Sequence, residues 1–466
     1  MTREHGAEAD GLPLRDENGD IRAEVSEAVA AAVASADAPR LRELFADLHA
    51  ADQSDLLLSL DPADQPRLIE LLGDAFDFAA LTELDETVRT RIVEALETRT
   101  IVEGMRELES DDAVYILEDL DKEDQDEILD QLPALDRVTL SRSLDYPEDS
   151  AGRRMQTEFV AVPAFWTVGQ TIDHLRETED LPDRFYEIFV VDPRYQLLGA
   201  VPLDVVLRTK RPVAMADIVS EEWHQVKATD DQADVARLFE RYNWVSAPVV
   251  DDSDRLVGVI TVDDVVDVIE EEADADLKAL GGVKADEELS DSVWYIAKSR
   301  FSWLFLNLLT AILASVVIGL FEGQIEKMVA LAVLMPIVAS QGGNAGTQTM
   351  TVAVRALATR ELGHANARRI VLREVAAGLL NGLAFAVIMG AVAVAWFGVP
   401  DLGLVIGLAM VIVLAAAALG GILIPLALHK LGADPAVSSG PFVTTVTDVV
   451  GFFAFLGIAA LWFGLQ

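Results

Sequence analysis

The chain has 466 residues, 51% of them hydrophobic and 24% charged, with a formal net charge of −42. That length exceeds one domain, the lack of cysteine excludes disulfides and thiolate metal sites, and the strong negative charge excludes a nucleic-acid backbone as partner. The charge is segregated: seven acidic and eight basic residues lie from position 299 onward, leaving an acidic soluble half with a net charge of −43 ahead of an apolar half.

The first thirty residues are polar, acidic and Ala-rich, without a visible secretory signal. Residues 1–35 read as a mobile acidic tail running into a helix over Ile21 to Ala34. From Leu41 to about Leu144, apolar residues recur at helical spacing. Acids or Ser recur at the helix starts: Asp61-Pro62-Ala63-Asp64, Asp85-Glu86-Thr87, Ser110-Asp111-Asp112 and Asp121-Lys122-Glu123. Side-chain oxygens there satisfy free backbone N–H groups, so capping is open to Asp111 and Asp112. The spacing predicts stacked helix pairs, an α-solenoid over residues 36–145. Twenty-eight Arg stand against eight Lys, amid much Asp. This fits a salt-adapted surface, and acidity alone is therefore no sign of metal binding.

Over residues 151–270 the period changes. Glu187–Asp192 then Leu197–Val201, and Ser246–Asp251 then Leu256–Ile260, are strand pairs offset by 59 residues, each after a helical stretch. A duplicated α/β unit is predicted, with copies at 146–210 and 211–270. It resembles a pair of cystathionine-β-synthase (CBS) domains. Copy two fits that family's nucleotide pattern at Thr261 and Asp264, which makes ATP a candidate regulator. Copy one has Pro202 and Val205 there, so at most one such site is expected.

The acidic run Asp263–Asp276 follows. On a helix, Asp264, Asp267 and Glu271 share one stripe, and Asp263, Asp267 and Glu270 another. Like charges so spaced repel, so cations lying between this helix and a facing acidic surface would favour it. The plain alternative is a solvated acidic linker. Residues 271–298 read as a connecting helix with a break at Leu280-Gly281-Gly282.

In the last part, 299–466, five segments reach the roughly 30 Å of a bilayer core: about 301–321, 328–350, 374–397, 402–428 and 441–464. Lys298, Arg300, Arg355, Arg360, Arg368, Arg369 and Lys430 flank one side. The positive-inside rule then puts the soluble half in the cytoplasm and Gln466 outside, in the plasma membrane. In the second span, Pro336 frees a backbone acceptor, and the glycines among Gln341–Thr349, Gly343 and Gly346 included, let a helix or an ion approach the main chain. A non-helical interruption there would have to be enclosed by protein or water. Asn344, Thr347 and Gln348 offer neutral oxygens on the cytoplasmic side, with a packing seam as the alternative role. In the last span, Asp448 is a carboxylate costing roughly 2.5–3.5 kcal/mol in a bilayer. A water-filled cation route would offset that cost; snorkelling to the headgroups is the alternative.

Together these residues resemble the MgtE family of magnesium channels from about residue 40 to the end. The resemblance rests on Tyr146–Gly152 with Met155, Thr261 to Glu272, Pro336 with Gln341 to Gln348, and Thr444-Thr445 with Asp448. It implies a homodimer in a lipid bilayer with five spans per subunit and one central pore, in which Asp448 of both copies, with Thr445 nearby, holds hydrated Mg²⁺. It implies cytosolic Mg²⁺ ligands at Asp264, Asp267, Glu272 and Asp276, with Asp111 in the helical domain and Glu271 on the same acidic stripe. Family acids are replaced at Ala275, Asn243 and Tyr115. Co²⁺, Mn²⁺ and Ni²⁺ are further ions that oxygen sites admit. A carrier coupled to Na⁺ or H⁺, and a membrane-anchored sensor, are the rival functions; no His/Asp/Ser cluster suggests an enzyme.

Overall fold

The computed structural model describes residues 8–9, 12–178, 181–182, 184–362 and 366–464. The chain divides into two compact units, Met1–Glu272 and Ala273–Gln466.

The first unit opens with a short pair, β1 (Glu8–Ala9) and β2 (Leu12–Pro13), and nine short helices. These are α1 (Ala23–Ser35), α2 (Ala38–Phe45), α3 (Ala50–Leu58), α4 (Gln65–Leu72), α5 (Glu86–Ala95), α6 (Thr98–Met105), α7 (Ser110–Glu118), α8 (Lys122–Gln131) and α9 (Ala134–Leu144). Two of the four expected caps are present: Asp85 accepts from the Val88 N–H at 2.9 Å, and Asp121 from Glu123 and Asp124. Asp64 stands at the N-cap of α4 without a capping bond, and at α7 the N-cap position falls to Glu109, because the Ser110 hydroxyl donates to Glu158 at 2.7 Å. One continuous core runs from Leu14 to Leu140. Leu14, Val25, Val29 and Val33 are buried in it, so the segment read as a tail is packed from Leu14 onward. The part of that tail at residues 1–7, 10 and 11 lies outside the described residues. The reason is α1 itself: Val25, Val29 and Val33 recur every four residues and form an apolar stripe that needs a partner.

After α10 (Ala151–Arg154), the duplicated part holds two three-stranded sheets. The first is β3 (Ala161–Pro163), β4 (Glu187–Val191) and β5 (Leu197–Pro202), and the second β6 (Val226–Lys227), β7 (Ser246–Val250) and β8 (Leu256–Thr261). Each has a parallel pair, then an antiparallel hairpin with an irregularity at its turn end. Helices α11 (Val168–Glu177), α12 (Leu203–Arg208) and α13 (Gln232–Tyr242) cover them. The repeats exchange their leading segments. Ala151 and Met155 pack into the core of the second sheet, and Val213 and Met215 into that of the first. Packing thus crosses the divisions expected at 146 and 211, because each sheet completes its core with chain from the other repeat.

α14 (Val262–Leu280) leaves the second sheet and leads into the second unit. There follow α15 (Val293–Gly319), short α16 (Glu322–Lys327), α17 (Ala330–Ala358), α18 (Ala367–Phe397), α19 (Pro400–Lys430) and α20 (Pro435–Trp462). By length and composition, four helices among the described residues are long and apolar enough to cross a membrane: α15, α18, α19 and the stretch Ser439–Trp462 of α20. α17 is as long, but polar side chains from Gln341 on dilute its hydropathy. α19 is the central helix; α15 and α18 fully bury few of their residues and leave large apolar side chains exposed, Leu308, Ile312, Leu380 and Val387 among them. Surface of that kind is unfavourable in water and ordinary in lipid.

The expected interruption in the second span is absent. α17 runs unbroken through Pro336. Pro336 stands in the second turn, where the helix lacks one internal bond and still continues to Ala358.

Candidate functional site

Two groups of polar residues stand out, one in each unit. In the first unit, Thr261 is the residue before α14, and its hydroxyl donates to Asp264 at 2.7 Å while its N–H donates to the same carboxylate at 3.3 Å. This is half of a capping box, and it fixes the first turn of α14. Asp264 so held faces the start of α7. Its charge, after burial, is the chief influence raising both Asp111 and Asp112. Asp111 is 8% exposed and lies well above the usual carboxylate range. Burial first, then Asp264, Glu109 and Asp267, push Asp112 up to about 7. Asp264 itself is raised to about 6 by burial, although its bond from Thr261 lowers it; Asp267 is raised to about 6 by burial, then by Glu83, Glu271 and Glu270.

The principal influences on Asp111, Asp112 and Asp267 include no cation: the facing surfaces of α7 and α14 are acid against acid. Among the described residues, no group of three or more acidic or histidine side chains is arranged to hold one metal ion. What the two helices offer is paired carboxylates: Asp111 is buried, Asp112 and Asp264 are half-buried, and Asp267 is open to solvent. That suits Mg²⁺, which commonly keeps several waters and takes one or two carboxylates.

The remaining expected ligands lie apart. Glu271 accepts from the Tyr115 hydroxyl at 3.0 Å and from Arg154 at 3.3 Å. Glu272 accepts from Gln232 at 3.5 Å. Asp276 belongs to the second unit, where burial and then Asp434 raise it. Sequence reading singled out Asp111; the structure brings Asp112 and Glu83 into the same acidic contact. Asp112 carried a signal in its adjacency to Asp111; Glu83 carried none, since only folding brings it to Asp267.

In the second unit, α17 and α20 meet at glycines. A Cβ on Gly346 would lie 2.8 Å from Val443 Cγ1 and 3.2 Å from Thr447 Cγ2, and one on Gly342 2.6 Å from Val413. Gly346 is thus a packing glycine, whereas a Cβ on Gly343 would meet nothing within 4 Å. Asn344 and Gln348 are exposed on the side of α17 away from this seam, Thr347 is exposed beside it, and Pro336 is built into the second turn of the helix. On α20, Thr447 is buried at the seam, and Asp448 lies one residue round, half-buried, on a stripe with Thr444. Among the described residues, no donor or cation is paired with the Asp448 carboxylate. Thr445 donates to the Pro441 carbonyl, leaving its oxygen free to accept.

Thr347 and Thr444 line one cavity of about 520 Å³, with Asn307 of α15 and Gly440. The chain from Ala279 to Val283, at the end of α14, closes another wall of it. Ala279 is buried with Met350, Val354, Ala436 and Val443 in one cluster. The end of α14 therefore packs directly on the helices that carry the polar stripes.

Three family models match: a divalent cation transporter model over residues 335–458, the MgtE intracellular N domain over 48–149, and a CBS domain over 215–271. Three relatives bear the name magnesium transporter MgtE. That of Thermus thermophilus is 36% identical over 75% of this chain and 79% of its own length. That of Enterococcus faecalis is 36% identical over 68% and 70%, and that of Bacillus subtilis 30% identical over 76% and 79%. The chain belongs to the MgtE family. Among solved structures, the soluble part of a magnesium transporter is 28% identical and covers 54% of this chain and 98% of its own (TM-score 0.47). The cytosolic domain of the Mg²⁺ channel MgtE in complex with ATP is 30% identical and covers 52% and 99% (TM-score 0.49). The CBS model takes in the second repeat of this MgtE chain; the first is its partner by strand order and by the 59-residue offset.

Proposed function

We propose that this MgtE chain conducts divalent cations, Mg²⁺ foremost, into the cytoplasm through a pore shared by two copies in the plasma membrane. In this reading five helices, α15 and α17 to α20, cross the bilayer, with the acidic unit on the cytoplasmic side by the positive-inside rule and the C-terminus on the other. The observation that carries this reading is the unpartnered, half-buried Asp448, on a stripe with Thr444 that continues into the cavity lined by Thr347 and Asn307. A carboxylate in a bilayer span needs water or a counter-charge, and a second copy presenting the same face would enclose both. The cation stays hydrated there, because Mg²⁺ dehydrates reluctantly. Asn344, Thr347 and Gln348 offer oxygens to its water shell, and Gly343 leaves the backbone of α17 approachable. The membrane potential supplies about 4.6 kcal/mol per divalent ion per 100 mV.

Cytosolic Mg²⁺ closes the pore. Ions between Asp111 or Asp112 and Asp264 or Asp267 offset a repulsion that otherwise drives α14 away from α7. The other end of α14 blocks the cavity mouth at Ala279 to Val283. Closure then follows from tighter ion binding in the closed state. An unbroken α17 removes the feature that had favoured a coupled carrier. ATP at Thr261 and Asp264 would have to compete with the bond these two residues already make to each other.

The test is Asp448→Asn in reconstituted vesicles with Mg²⁺ uptake and single-channel recording. Uptake should fall at least tenfold with the fold and membrane insertion retained. Undiminished uptake would mean that the spans only anchor a sensor, and uptake without unitary currents would mean a carrier.

A further inference from the structure

We infer that Tyr115 of α7, together with Arg154 of α10 through its ion pair with Glu118 of α7, forms an ion-independent latch that ties the middle of α14 to the helical N-domain, one to two turns beyond its ion-dependent contact. The inference rests on the ion-closed reading above for its functional consequence, but its geometry stands by itself. Glu271 receives two bonds, from the Tyr115 hydroxyl at 3.0 Å and from Arg154 Nη2 at 3.3 Å. The Tyr115 ring lies between two guanidinium groups, Arg89 at 4.2 Å and Arg154 at 4.9 Å from its centroid. Those groups are themselves anchored: Arg89 on Asp119 at 2.5 Å, and Arg154 on Glu118 at 3.2 Å and Gln232 at 3.0 Å. Arg153 also reaches Glu118, at 3.5 Å.

The charge balance separates this contact from its neighbour. Arg89, Arg153 and Arg154 face Glu118, Asp119 and Glu271, three against three. One to two turns of helix earlier, Asp264 and Asp267 meet only burial and other carboxylates as principal raising influences. One helix thus carries two contacts with the same domain: an acid-on-acid contact that needs a cation, and a neutralised one that needs none. Cation–π attraction and charged hydrogen bonds are each strong enough to bias a two-state element.

The consequence is a lowered Mg²⁺ threshold. With Glu271 already held, closing the first turns of α14 orders less chain, so fewer ions or weaker sites suffice.

The experiment is hydrogen exchange across 262–280 in the full-length protein in detergent micelles, for wild type, Tyr115→Phe and Glu271→Gln, in EDTA and through a Mg²⁺ titration. Tyr115→Phe keeps the ring between the two arginines and removes only the bond to Glu271. In EDTA, the turn around Glu271 should exchange about tenfold faster in both variants than in wild type, the loss expected for a hydrogen bond to a charged group. The Mg²⁺ concentration that half-protects the turn holding Asp264 and Asp267 should rise several-fold in both, with the thermal midpoint of the rest of the N-domain unchanged. Equal exchange around Glu271 in all three proteins in EDTA overturns the latch. A wild-type chain whose exchange ignores Mg²⁺ overturns the threshold claim together with the ion-closed reading, and the EDTA comparison still decides the latch.

Discussion

Two glycines three residues apart do opposite things in α17. Sequence reading gave Gly343 and Gly346 one role, letting something come close to the main chain, because glycine spacing says that an approach occurs and not from which side. The side is set by Val443 and Thr447 of α20, nearly a hundred residues on, against which Gly346 packs and Gly343 does not. Gly346→Ala forces a Cβ to within 2.8 Å of a branched side chain, an overpacking that costs about 1–3 kcal/mol. Gly343→Ala meets open space. Thermal unfolding in detergent should therefore show a lowered midpoint for Gly346→Ala and an almost unchanged one for Gly343→Ala. Any uptake defect of the second would then report on the ion route and not on folding. Equal destabilisation would remove the packing distinction. Asp448 is the contrasting case: it was legible from the sequence because a lone carboxylate in an apolar run is conspicuous wherever its neighbours fall.

At the scale of elements, α14 decides most. Its acidic stripes were readable from spacing alone, since Asp264, Asp267 and Glu271 recur at helical intervals. What the stripe faces was not readable: Tyr115 and Glu271 are 156 residues apart, and no periodicity relates them. So the expected row of ligands divides, with Asp264 and Asp267 against acids and Glu271 against Tyr115 and Arg154. The acid contact has a pH signature whose sign is fixed. Asp112 near 7, and Asp264 and Asp267 near 6, lie above the value of about 4 that they take unfolded. The folded state therefore holds more protons between about pH 4 and 7. The stability these protons contribute is complete below that window and is lost as pH rises through it. In EDTA, the thermal midpoint of the first unit should climb as pH is lowered from 7.5 to 5.5. Mg²⁺ should raise the midpoint at pH 7.5 and do so much less at pH 5.5, because protons already occupy the carboxylates. Asp112→Asn should raise the EDTA midpoint at pH 7.5 and shrink the Mg²⁺ increment. Scanning fluorimetry over that range checks all three, and a flat EDTA profile would contradict the account.

For the molecule as a whole, the duplicated strands and the apolar spans were visible in order and number of residues, while their closure was not. The CBS repeats exchange leading segments, which a strand-by-strand reading cannot anticipate because each strand pair looks complete in sequence. The second unit poses the larger question of which exposed faces lipid covers. α15 and α17 both leave a long face uncovered, but the chemistry differs: Leu308 and Ile312 on one, Asn344 and Gln348 on the other. An apolar face rests in acyl chains at no cost, whereas side-chain amides turned to lipid lose their hydrogen bonds. If two copies meet across α17 and α20 around water, the polar face is wet and the apolar one is not. A chain without cysteine makes this directly measurable. Single replacements Asn344→Cys, Gln348→Cys and Leu308→Cys, in membranes, should separate under a small cationic, water-soluble thiol reagent. The two on α17 should react readily, more slowly as Mg²⁺ rises and the end of α14 shuts the cavity; the one on α15 should stay unmodified at either Mg²⁺ level. Oxidation should also link two copies through a cysteine at 344 or 348 and not through one at 308. Uniform reactivity at all three positions would place the α17 face in the same surroundings as α15, and no aqueous route would then run beside Asp448.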